Sequence, residues 1–172
     1  MSMKGQYFSF DAIIATVIMV LAFSSLVAYW YGAQSVVESR TYSRLADAGR
    51  IAESLLSPGS PSDWADGQHD MADVRQIGIA TGFNNELDLG KVGTLEYIAS
   101  PERYYDGTGN LLRAGGNYFI LIQRTATDAN AGESPIIAQI GKSPINANAT
   151  AVANRGATLN GRPVSIRVFL WK

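Results

Sequence analysis

From Ala12 to Val37 the chain carries no charged residue, and only from Glu38 onward do charged and apolar positions interleave. Ala12 to Tyr31 alone, as a helix rising 1.5 Å per residue, would be roughly 30 Å long, the thickness of a bilayer core. A spanning helix is the reading this pattern favours. Tyr29, Trp30 and Tyr31 at its far end have the amphipathic rings that settle at headgroup level. Beyond them Val36, Val37, Leu45, Ala48, Ile51, Ala52, Leu55 and Leu56 recur at spacings near three and four. Glu38, Arg40, Arg44, Asp47 and Glu53 fall mostly elsewhere, as on an amphipathic helix. The two stretches read as one helix, apolar all round at first and striped afterwards. It should end near Ser57, because Pro58 disfavours helical geometry at the residue before it and Gly59 follows.

After "SPGSPSDWADG", a turn-rich hinge, the pattern changes from helical to alternating. Val74 to Ala80, Tyr118 to Arg124, Ile136 to Ile140 and Val164 to Trp171 are strand candidates, rich in β-branched and aromatic residues. In the last, Val164, Ile166, Val168 and Leu170 share a face. Asn160-Gly161 ahead of it signals a hairpin, so a partner strand is expected around Val152 to Leu159. Tyr118 to Ile122 is apolar on both faces, which suits a central strand covered on one side by the stem helix. Leu87 to Ala99 and Glu102 to Leu112 are candidates for short helices, weakened by their glycines and by Pro101. The fold class expected is α+β: a long N-terminal hydrophobic helix, transmembrane or filament stem, packed on a small, mainly antiparallel β-sheet head.

Composition narrows the function. The 172 residues include 14 basic and 15 acidic side chains, a net charge of -1, which lacks the basic field of a general nucleic-acid binder. No nucleic-acid partner is expected. The absence of cysteine excludes disulfides and thiol chemistry. His69 is the only histidine, so histidine-rich zinc sites are excluded and a Ser-His-Asp triad would have to pass through it. No Gly-x-Ser-x-Gly elbow, Walker loop or dinucleotide fingerprint is present. His69 lies in "DWADGQHDMAD", which reads as a solvated loop; the spacing of Asp63, Asp66, Asp70 and Asp73 matches no calcium loop. "DGTGN", with Asp106, Thr108 and Asn110, reads as a tight connection. No enzymatic activity, cofactor or metal is expected. "NAT" at Asn148 is the one glycosylation acceptor pattern. The surrounding "SPINANATAVANRGA" reads as an exposed edge segment able to augment a neighbour's sheet.

Lys4 and Asp11 are the only charged residues before Glu38, and Asp11 stands at the edge of the apolar run. The residues alone leave three readings of the segment. A removed secretory signal would use Ala22-Phe23-Ser24 as its cleavage site, but the apolar run continues past that site into the aromatic belt. A plain anchor fits the span length, and the positive-inside rule does not orient it, since Lys4 on one side faces Arg40, Arg44 and Arg50 on the other. The third reading is a stem that packs against copies of itself. A carboxylate near hydrocarbon must snorkel, protonate or meet a positive partner. An interfacial acid at a helix start is the simple alternative, favoured there by the macrodipole.

The opening "KGQYFSFD" resembles the class III signal peptide of archaeal type IV pilin-like proteins. In that group a short basic leader ends in Lys-Gly and a prepilin peptidase cuts before the apolar run. The resemblance implies a processing site at Lys4, Gly5 and Gln6, with cleavage between Gly5 and Gln6. Gln6, Ser9 and Asp11 match the start of the mature form, Asp11 standing one place later than the common fifth position. The new α-amine of Gln6 could then pair with Asp11 of the same or a neighbouring stem. "LLSPGSPSDW" and "NGRPVSIRVFLWK" resemble the helix exit and the closing hairpin of the same group, less specifically.

The resemblance implies a leader at residues 1–5, a transmembrane or stem helix at 6–57 and an extracytoplasmic head at 58–172. It implies a structural pilin subunit, major or minor, of a surface filament, held as a single-pass membrane protein before assembly. The partners implied are copies of itself or other pilin-like subunits, the prepilin peptidase, an assembly ATPase with its membrane platform, and lipid. The alternative is a single-span, membrane-anchored extracytoplasmic binding domain that never polymerises.

Overall fold

A computed structural model of the chain describes residues 4–125, 134–145, 147 and 150–172, and only the backbone for 4–9 and 37–41. The chain divides into two compact units, Met1–Tyr42 and Ser43–Lys172. The first is helical throughout its described length. It is the greater part of α1, Lys4–Leu55, a helix of 52 residues whose final turns belong to the second unit.

In the second unit α1 is followed by α2 (Leu89–Ile98), α3 (Tyr105–Leu112), β1 (Asn117–Arg124), β2 (Ile136–Gly141), β3 (Ala151–Leu159) and β4 (Arg162–Trp171). The strands form one antiparallel sheet in the order β2-β1-β4-β3, an α+β arrangement with β1 and β4 in the centre. The alternation read from the sequence sets the packing. Val164, Ile166, Val168 and Leu170 of β4 are buried, as are Tyr118, Ile120 and Ile122 of β1, while Phe119 and Phe169 meet at 5.8 Å between ring centroids. Ala48, Ile51, Ala52 and Leu55 on one stripe of α1 join the same core, with Leu95 of α2 and Ile140 of β2. The β3–β4 turn is Asn160-Gly161, with φ of 53° and 74°, the left-handed pair that a two-residue hairpin matched to strand twist requires.

Val74 to Ala80 differs from the strand read in its sequence. Val74, Ile77, Ile79 and Ala80 are buried, yet the segment makes only isolated bridges, Ser60 with Gln76 and Ala80 with Leu87. Its backbone is used to finish α1 instead. The Ile79 amide donates to Leu55 O at 2.9 Å, the Ala80 amide to Ser57 O at 3.1 Å, and Trp64 Nε1 donates to Gly78 O at 2.8 Å. Carbonyls that a helix end leaves unpaired are thereby satisfied by tertiary structure. Lys91, 7% exposed, donates from Nζ to Pro58 O and Ala80 O at 2.9 and 3.1 Å, tying the exit of α1 to the same segment.

The glycines in α2 do not prevent it forming, because Asp88 Oδ1 accepts the amides of Gly90 and Lys91 at 2.8 and 3.2 Å. That is a side-chain cap of the kind worth about 1 kcal/mol. From α2, Glu96 Oε1 accepts the outward amide of Gln139 at 3.1 Å on the edge strand β2. On the opposite edge, Thr158 of β3 exchanges bonds with Asn85 and Leu87.

Candidate membrane and assembly surface

Phe10–Val36 is long and apolar enough to cross a membrane, and every residue in it is exposed. Three of its hydroxyls are satisfied within the helix. Thr16, Ser25 and Ser35 donate back to the carbonyls of Ala12, Leu21 and Gly32 at 2.8 to 2.9 Å. The helical backbone donors and these three hydroxyls therefore need no water, as a helix placed in hydrocarbon requires. What this surface lacks is an apolar cover. Leu21, Phe23, Leu26 and Trp30 are all more than 60% exposed, a contiguous patch of a kind soluble monomers rarely show.

Asp11 is the one charged residue of this segment and is exposed. Lys4, Gly5 and Gln6 fall in the first turn of α1. The chain thus sets the candidate processing residues and Asp11 within two turns of one helix. Asn148 lies outside the described residues.

The other residues singled out in the sequence lie on α3 and in the segment around His69. Asp106, Thr108 and Asn110 lie on α3 rather than in a tight connection, and Thr108 is buried, its hydroxyl donating to Tyr104 O at 2.8 Å. Among the described residues no three potential metal-ligating side chains converge. His69 pairs instead with Asp63. Its Nε2 lies 3.0 Å from Asp63 Oδ1 and has no other polar partner among the described residues. The His69 contact, aided by Asp63's own backbone amide, holds the exposed Asp63 carboxyl below the ordinary carboxylate range.

A second feature has no counterpart in the sequence reading. Arg50, Glu53 and Ser54, neighbours on one face of α1, meet Arg75, Gln76, Leu111 and Arg113 around an open cleft of about 450 Å³. Its three arginines stand 25 and 38 positions apart along the chain. Only the fold brings them together; spacing gives no signal.

No family model matches the chain, and comparison with curated proteins and with solved structures finds no match either.

Proposed function

We propose that this protein is a structural, non-enzymatic subunit of an archaeal type IV pilus-like surface filament, major or minor. It is made with a leader ending at Gly5, stored in the membrane through Phe10–Val36, and assembled through that same helix. The observation that carries this reading is the wholly exposed apolar stretch Phe10–Val36 of α1, whose one charged residue, Asp11, stands at its start. Each Val, Leu, Ile or Phe covered there is worth about 1.5–3 kcal/mol. Both lipid and copies of the helix could supply that cover, and transfer between them costs little because lipid tails are as apolar as leucine.

Asp11 gives the helix a direction. A cut between Gly5 and Gln6 would place an α-amine five residues before it, and that amine would neutralise Asp11 in a bundle from which water is excluded. In this scheme the peptidase makes the charge partner, and the assembly ATPase and platform draw the stem from the bilayer. The head, outside the membrane, faces the surroundings.

Intact mass and amino-terminal sequencing of protein recovered from native membranes or shed filaments test the reading. A start at Gln6 is the expected result. An uncut chain would make a simple membrane-anchored head the better account, and a start at Ser25 would make it an exported soluble domain.

A further inference from the structure

The cleft between α1, Arg75-Gln76 and the end of α3 is built from mixed chemistry. Arg50 is pinned in its wall, donating from Nη1 to Leu112 O at 3.2 Å and from Nη2 to Arg113 O at 2.8 Å, with Asp47 at 3.6 Å. It is a preorganised guanidinium, which lowers the ordering cost of binding. The guanidinium groups of Arg75 and Arg113 have no ion pair among the described residues. Glu53 is the single carboxylate in the lining, and Arg155 holds it at 2.9 Å. The cleft is thus cationic in a chain whose net charge is -1.

The rest of the lining decides which anion suits it. Gln76 Nε2 donates to the hydroxyls of Ser54 and Ser57 at 3.2 and 3.0 Å, which leaves its Oε1 as an acceptor. Glu53 is a second acceptor. Acceptors beside arginines fit a ligand that carries hydroxyl donors as well as a negative charge. A phosphate dianion suits the lining less well, because it sets twice the charge of a carboxylate against Glu53 and brings at most one hydroxyl donor for the acceptors. Half-buried Leu111 offers the apolar contact that the C–H face of a sugar ring takes. The volume lies within the ~300–1,000 Å³ typical of small-molecule sites.

We propose that this cleft binds the end of an acidic oligosaccharide, a ligand with one carboxylate per ring and several free hydroxyls. Arg75 and Arg113 take the carboxylate, Gln76 and Glu53 accept from ring hydroxyls, and Leu111 lies under the ring. The proposal does not depend on whether the stem polymerises.

Calorimetry on the full chain in detergent micelles, with trigalacturonate as probe and neutral galactotriose and inorganic phosphate as comparisons, tests it. The expected result is saturable binding of trigalacturonate alone. Arg75→Gln and Arg113→Gln should each weaken it about tenfold, with unchanged circular dichroism, while Lys142→Gln, an exposed cation elsewhere on the head, leaves it unaltered. Glu53→Gln should narrow the preference for trigalacturonate over phosphate. Absence of trigalacturonate binding overturns the proposal. So does binding that survives both arginine substitutions, and so does phosphate or galactotriose binding as tightly as the acidic sugar.

Discussion

Tyr105 and Tyr118 lie face to face, ring centroids 4.6 Å apart and planes within 3°, and each hydroxyl bonds to the backbone of the other residue. The Tyr118 amide donates to Tyr105 Oη at 2.9 Å and Tyr118 Oη donates to Tyr105 O at 3.1 Å. Helix α3 is thereby fastened to the first residues of β1. Tyr105→Phe removes the acceptor of the Tyr118 amide and should cost about 1–3 kcal/mol in chemical unfolding of the full chain in micelles. An unchanged midpoint would show that the clasp is ornamental.

The same pair sets an alkaline limit. Burial raises the Tyr118 hydroxyl far above its ordinary value, and the adjacent Tyr105 adds to this; burial raises Tyr105 too, partly offset by its bond to the Tyr118 backbone. Raised folded values mean that the contribution to stability is whole below about pH 10 and is lost as the pH climbs from there toward the folded values. Tyrosinate absorbance should rise in two stages, with Tyr105 ionising later than an ordinary tyrosine and Tyr118 last of all, as the head unfolds. A single ordinary titration in folded protein would contradict this.

Gly78→Ala should prevent the head from folding. A Cβ there would collide with the Ser57 carbonyl, and that atom is backbone at the helix exit, with no side-chain freedom to yield. Gly93→Ala, where a Cβ meets nothing within 4 Å, is the matched control and should stabilise α2 by about 1 kcal/mol. Expression level and thermal midpoint of the two variants check the contrast.

Gly78 also shows why part of the head was not legible in the sequence. The burial of Val74, Ile77 and Ile79 gives Val74 to Ala80 the composition of a strand, and composition carries no record of which carbonyls a backbone amide will meet. Those of Ile79 and Ala80 meet the end of α1. The sheet itself was legible, since β1, β2 and β4 carry apolar alternation or full burial and Asn160-Gly161 fixes the hairpin register. Asp88, three residues before Lys91, was a readable cap for α2 despite its glycines. The apolar surface of α1 was likewise plain from its missing charges. The arginine cleft was not, because its members come from a helix, a loop and a helix end.

Acid should act on the Asp63–His69 pair. A carboxyl held below its ordinary range lends stability above about pH 3.8, and that contribution disappears as the pH falls through the lower folded value. Asp63→Asn should therefore lower the thermal midpoint at pH 5 and make no difference near pH 2. Equal midpoints at pH 5 would remove the pair from any account of the loop.

Leu21→Arg places a charge in the middle of Phe10–Val36 at a cost of about 2.5–3.5 kcal/mol for insertion. Recovery of the chain in carbonate-washed membranes should drop sharply, whereas Arg50→Gln, in the head unit, should leave it unchanged. Equal recovery of both variants would argue that the segment does not enter the bilayer.

The carboxylate of Glu96 takes up the outward Gln139 amide on the β2 edge of the sheet. Along β3 the alternation that turns Thr158 outward leaves Val152, Asn154 and Gly156 as a short open stub before Asn85 and Leu87 close it. That stub is the part of this edge on which another strand would find free backbone groups. Backbone recognition by a further strand is thus confined to a few residues of β3, and a contact made elsewhere on the head would be chosen by side chains.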